Sequence, residues 1–309
     1  MNTFESRKKS REFNEKLIKL ALISAATISI LTTFGILFSI LFEAIEFFKL
    51  RSFWYFITGT TWSPGVIGSQ FGALPIFAGT FVITIIALGV AIPIGLGSAI
   101  YMSEYASPKL RDYLKPLLEV LAGIPSVVYG FFAAITVAPL VVKIAEAIGL
   151  EATFNSALAS GVVMGIMIIP TISSLSDDVI RSVPDSQRKA SFGLGMTHGE
   201  TIRDIVLPSA MPGIISASLL ALSKALGETM VVVMAAGLRP NLSWNPLEDM
   251  TTVTVTIVNA LVGDFEFSSA ETLSAFALGL VLFVITLILN MISLSLIRKF
   301  KEKYKVNTL

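Results

Sequence analysis

Five apolar stretches of at least 23 residues contain no Asp, Glu, Lys or Arg: Leu20–Phe42, Pro75–Met102, Val120–Val142, Ala152–Ser176 and Thr272–Ile297. About 20 such residues suffice for a helix to cross the hydrocarbon core of a bilayer. A sixth stretch, from about Pro212 to Leu238, is interrupted only by Lys224 and Glu228. Inside lipid every backbone N–H and C=O must find its partner within the protein, which leaves helices and closed barrels. Barrel strands would show as ten-residue segments alternating with period two, and none recur here. The expected fold is therefore an all-α, polytopic transmembrane bundle of six spans. Composition agrees, since only 15% of residues are charged against about 25% in ordinary soluble domains.

Basic residues in the short connections set the orientation. With the N-terminus inside, the inner segments are 1–19, 103–115, 177–211 and 297–309, and they hold 18 of the 23 lysines and arginines. Both termini are thus expected in the cytoplasm, with the chain in the cytoplasmic (inner) membrane. Residues 1–19 are expected to form a cytoplasmic N-terminal segment, and residues 20–309 the transmembrane domain. For the first 19 residues two readings stand, a helix lying on the lipid surface and a frayed basic tail. The first span is too long for a signal-peptide core of about 7–15 residues. The near-balance of 23 basic and 22 acidic residues argues against an overall basic nucleic-acid binder. With no cysteine and one histidine, thiol chemistry and most metal chemistry fall away, and no cofactor is expected.

One inner connection, 177–211, is far longer than two membrane helices need. Pro184 suits a first helical position and Asp185 a first turn. Gly193 and Gly195 break the run, and Thr197-His198-Gly199-Glu200 has capping-box spacing. The second helix is expected to stop near Leu207, because Pro208 and Pro212 follow.

Lys189-Ala190-Ser191-Phe192-Gly193-Leu194-Gly195, followed after nine residues by Ile205-Val206-Leu207-Pro208, resembles the EAA motif of ABC importer permeases. Lys189 and Ser191 depart from the usual Glu and Ala. The resemblance implies that 177–211 is a cytoplasmic coupling loop, with Lys189, Ala190, Ser191, Gly195, Ile205, Leu207 and Pro208 meeting a separate ATPase chain. This chain contains no G-x-x-x-x-G-K-[ST] loop of its own, so it is expected to be a transport subunit and not an enzyme.

Three further segments resemble phosphate-permease PstC subunits: Gly59-Thr60-Thr61-Trp62-Ser63-Pro64 with Phe71-Gly72-Ala73-Leu74-Pro75, then Ala122–Gly130, then Ala225-Leu226-Gly227-Glu228-Thr229-Met230. The resemblance implies a type I ABC importer permease (MetI-like) architecture and one half of a phosphate pathway. Its implied partners are a PstA-like second permease, a PstB-like ATPase dimer and a PstS-like binding protein, besides membrane lipid.

Lys224 and Glu228 are the only charges well inside the fifth span, each costing about 2.5–3.5 kcal/mol on insertion scales. An i,i+4 spacing lets them meet on a continuous helix, about 18 and 24 Å above Pro212. Two readings stand here as well, a cation with an orienting carboxylate on an anion path, and a structural pair joining two helices. Asp177 and Asp178 read as solvent-facing, His198 as a surface residue, and Trp54, Trp62 and Trp244 as an interfacial belt. Competing functions are a permease for another oxyanion such as molybdate or sulfate, and a free-standing secondary transporter.

Overall fold

The computed structural model describes residues 2–65, 68–262 and 269–303, with side chains described between residues 15 and 299 of these. Among them are six helical segments long and apolar enough to cross a membrane. In chain order the helices begin with α1 (Asn2–Leu50), α2 (Phe53–Thr58), α3 (Leu74–Ile100), α4 (Pro108–Ala122), α5 (Ser126–Phe132) and α6 (Ala138–Ala147). They continue with α7 (Ala157–Arg181), α8 (Asp185–Gly193), α9 (His198–Thr201), α10 (Leu207–Leu226), α11 (Met230–Ala235), α12 (Val253–Val262) and α13 (Ala270–Lys303). Three π-helical turns, Tyr101–Tyr105, Ala133–Val137 and Ile202–Val206, extend or join them. A small antiparallel hairpin, β1 (Trp62–Ser63) with β2 (Gln70–Phe71), pairs Trp62 with Phe71.

The centre of the bundle is α3 against α7. Between helices in lipid the hydrophobic effect offers little, so close approach of small residues does the packing. A methyl group on Gly165 would meet the Ala87 carbonyl at 2.8 Å, and one on Gly95 would meet Ile172 at 2.9 Å. The Ser173 hydroxyl donates to the Ser98 hydroxyl at 3.0 Å across the same seam. Around it Ile83, Ala87, Val163, Met164 and Ile168 are buried together with Ala221 and Val231 from α10 and α11. By contrast α1 leans on α13 and exposes Leu20, Leu31, Phe34 and Phe38 along its length.

Contacts sort the connections into two ends. At one, the ends of α3 and α7 meet the π-helical turn 202–206 and the start of α10 around a small core of Ala99, Ile180, Val183, Val206, Ala210 and Ile214. At the other, the hairpin closes over Phe47, Phe56 and Ile76, and Gly59 lies against Gly72 so tightly that a side chain on either would strike backbone. Trp62 belongs to this cluster, edge-on to Phe71 at 5.5 Å, and so is a packing residue instead of part of a belt. Trp54 and Trp244 are exposed.

Three boundaries differ from the sequence reading. Val120–Ala122 belong to α4, which ends at Gly123, and the third crossing runs Ser126–Ala147. Pro125 disfavours a helical conformation at Ile124 and so splits the apolar run. The fifth crossing runs from His198 to Leu226, not from Pro212 to Leu238. Its helix also continues through Pro208 and Pro212 instead of stopping near Leu207. A wide turn makes this possible: the Leu207 N–H donates to Ile202 O, five residues back. Such a turn relieves the clash and the missing donor that a proline imposes.

Candidate functional site

The two helices expected in 177–211 are present as α8 and α9. Thr197 and Glu200 form a reciprocal capping box, in which the Thr197 N–H donates to Glu200 Oε2 at 2.8 Å. Between them Gly195 has φ +82°, a conformation that costs other L-residues about 1–2 kcal/mol. Of the expected coupling residues, Lys189 and Ala190 are exposed on α8, while Ser191 is buried. The Ser191 hydroxyl is 2.8 Å from the Thr201 hydroxyl and donates to Arg188 O at 2.8 Å, tying α8 to α9. Ser191 therefore serves the inside of the helix pair. Ile205, Leu207 and Pro208 are half-buried, and Ala190, Leu194, Met196, Ile205 and Pro208 line an open groove between α8 and the π-helical turn that leads into α10. Leu194 is 84% exposed at its rim, an apolar side chain placed to be covered.

Lys224 and Glu228 do not meet. The helix ends at Leu226 with Gly227 as its cap, so the i,i+4 geometry is lost between them. The Glu228 carboxylate turns onto the next helix, where Oε1 accepts from the Met230 and Val231 N–H groups at 3.0 and 3.3 Å. Its backbone carbonyl accepts from the Thr254 hydroxyl at 2.7 Å, which pins the break to α12. Lys224 is half-buried in the last turn of α10 and makes no ion pair or side-chain hydrogen bond among the described residues. One residue away, the Ser223 hydroxyl donates to Asn290 on α13 at 3.5 Å. The arrangement thus holds an uncompensated cation beside a broken helix.

Charge pairs at the α8–α9 end escaped the sequence reading. Asp177, expected to face solvent, is fully buried and takes a two-pronged contact from Arg111, with Nη2 at 2.6 Å and Nε at 3.2 Å from Oδ2. Lys115 pairs with the exposed Asp178. Arg188 donates to Glu104 at 2.8 Å, and the Glu104 side chain is only 5% exposed. His198 is exposed but not idle, because its Nε2 lies 3.2 Å from Glu104 O. The visible signal was that Glu104 and Asp177 are the first acids after two apolar runs. Their partners, 84 and 66 residues away in sequence, carry no local mark.

Residues 91–302 match the family described as binding-protein-dependent transport system inner membrane component. The chain belongs to this family. It is 35% identical over 251 residues to a probable ABC transporter permease protein, YqgH, of Bacillus subtilis, covering 81% of this chain and 78% of that one. It is 36% identical over 252 residues to the phosphate transport system permease protein PstC of Mesorhizobium japonicum, covering 76% and 75%. To PstC 1 of Mycobacterium tuberculosis it is 33% identical over 288 residues, covering 83% and 85%. Among solved structures, a bacterial alginate ABC transporter in complex with its periplasmic protein superposes with TM-score 0.61 at 14% identity, covering 95% of this chain and 96% of that one. An inward-facing MetNI methionine ABC transporter gives TM-score 0.54 at 16% identity, covering 74% and 94%. These two share the fold of type I ABC importer permeases. The chain is accordingly a multi-pass inner-membrane transport component, and its family works with a partner ATPase and a substrate-binding protein.

Proposed function

We propose that this chain is the PstC-type permease subunit of an ATP-driven phosphate importer. The observation that carries the reading is the 33–36% identity to curated PstC proteins over three quarters or more of both chains. Lys224 supports it chemically. Phosphate crosses as an anion, and a cation with no carboxylate partner offers attraction that strengthens as the surroundings become less polar. Lysine does this as a point charge, without the planar fork of arginine. Glu228 acts on the same path indirectly, by holding the helix break that presents Lys224.

Force would enter at the groove between α8 and the π-helical turn before α10, within a coupling loop of residues 177–211 carried by a permease domain of residues 20–309. Lys189, Ala190 and Leu194 provide its exposed surface. From His198 to Lys224 the chain is one helix with a wide turn in it, about 39 Å long. A tilt imposed at the groove therefore reaches the cation with no intervening coil. The concentration of basic residues in segments 1–19, 103–115, 177–211 and 297–309 supports a cytoplasmic side for this end and for both termini. A PstA-like permease would supply the other half of the path, a PstB-like dimer the ATP hydrolysis, and a PstS-like protein the phosphate.

The test is uptake by the purified complex in proteoliposomes, with labelled phosphate and competing sulfate and molybdate. ATP-dependent phosphate accumulation that excess sulfate and molybdate leave unchanged is the expected result. Preferred accumulation of either competitor, or accumulation without ATP, would overturn the assignment.

A further inference from the structure

Glu104 sits in the π-helical turn that ends the second crossing, and it touches both helices of the coupling loop at once. Its carboxylate holds Arg188 of α8 at 2.8 Å, and its backbone carbonyl lies 3.2 Å from His198 Nε2 at the start of α9. Arg188 is also committed to the end of α7, with Nη2 donating to Ile180 O at 3.0 Å and Nη1 to Val183 O. A further, weaker contact joins it to Asp185 at 3.4 Å. The His198 ring stands edge-on to Tyr105 at 5.2 Å. Four elements therefore converge on one nearly buried ion pair: the end of α3, the end of α7, α8 and α9.

We propose that Glu104 and Arg188 are positioning residues that pin the coupling loop to the second crossing, so that displacement of the loop moves α3 and α7 together. The loop also packs on α3 through the core that Ala99 shares with Val183, Val206 and Ala210, and that apolar packing carries no directional link to α8. The Glu104–Arg188 ion pair supplies such a link at the outermost turn of the second crossing. Separating a buried pair strands its charges, so the two partners are held to move as one. This inference rests on the coupling-loop reading above.

The chain has no cysteine, which permits a direct test in the reconstituted complex. Glu104→Gln should lower the amount of solute transported per ATP hydrolysed by about fivefold or more, at unchanged subunit stoichiometry. A Glu104→Cys, Arg188→Cys double variant should show the same deficit and recover most of the ratio when a short bifunctional thiol reagent bridges the two positions. If Glu104→Gln fails to assemble, the bridged variant decides. An unchanged ratio in Glu104→Gln, or bridging that leaves the ratio low or stops hydrolysis, would overturn the pin. A parent complex that hydrolyses no ATP would instead overturn the proposed function itself.

Discussion

A lysine at membrane depth costs free energy in proportion to how poorly it is compensated, and Lys224 has no carboxylate beside it. Its charge is therefore the property to vary. Lys224→Gln is expected to lower phosphate uptake about tenfold or more, a loss of little over 1 kcal/mol of favourable interaction, whereas Lys224→Arg retains much of it. Labelled-phosphate uptake normalised to membrane abundance checks this. Equal uptake in the Gln variant would remove Lys224 from the path. Glu248 offers a second test at this scale, at the hairpin end. Its carboxylate accepts from Asn241 Nδ2 at 2.7 Å and Asn245 Nδ2 at 3.1 Å. Those hydrogen bonds, Asn241 first, hold it below the usual carboxylate range. A lowered folded-state value means that the stabilisation is present above the unfolded value of about 4.3 and is lost as pH falls through the folded one. Amide protection in 239–252, taken relative to the intrinsic exchange rate at each pH, should fall on acidification below about pH 4.3 in the parent. In Glu248→Gln this loss of protection should be absent.

At the scale of elements, what matters is where helices break and where they refuse to. Gly195 allows α8 and α9 to fold into a V because it alone adopts φ +82° without strain. Proline, locked near −65°, cannot enter that conformation. Gly195→Pro is therefore expected to splay the groove and uncouple the complex, with ATP hydrolysed and phosphate not accumulated. Gly195→Ala should show a milder defect, since its strain is about 1–2 kcal/mol. Normal uptake by the proline variant at normal abundance would remove the V from the mechanism. The opposite case is the run through Pro208, where a π-helical turn keeps α9 and α10 continuous. Continuity there joins two features that the sequence seemed to separate, the proposed coupling motif and Lys224 in the last turn of the fifth crossing.

For the whole molecule, Lys224 is half-buried, and its exposed half cannot face hydrocarbon cheaply. On the proposed function a second permease covers that side or completes an aqueous cavity around it. Native mass measurement of the active complex should find one copy of this chain beside a non-identical permease of similar architecture. Two identical copies with full activity would refute the heterodimer.

Six crossings, their order and the helical character of the inner loop were legible in the residues. Long uncharged runs admit no alternative in lipid, and capping at Thr197 and the turn at Gly195 are decided within a few residues. The helix–turn–helix around the motif was legible for the same reason, being local. Tertiary structure alone decided how charges pair. Lys224 and Glu228 share a spacing that brings them together on an intact helix, yet the chain breaks at Gly227 because the Glu228 carboxylate is better used on the N–H groups of α11. Asp177 read as a solvent-facing end of a span, and Glu104 as no more than the end of another. They are buried because Arg111 and Arg188 arrive from other helices, and a long-range partner leaves no trace in local periodicity. Pro208 likewise reads as a stop until the wide turn before it is seen, since whether a helix bends or ends at a proline depends on what the surrounding packing supports.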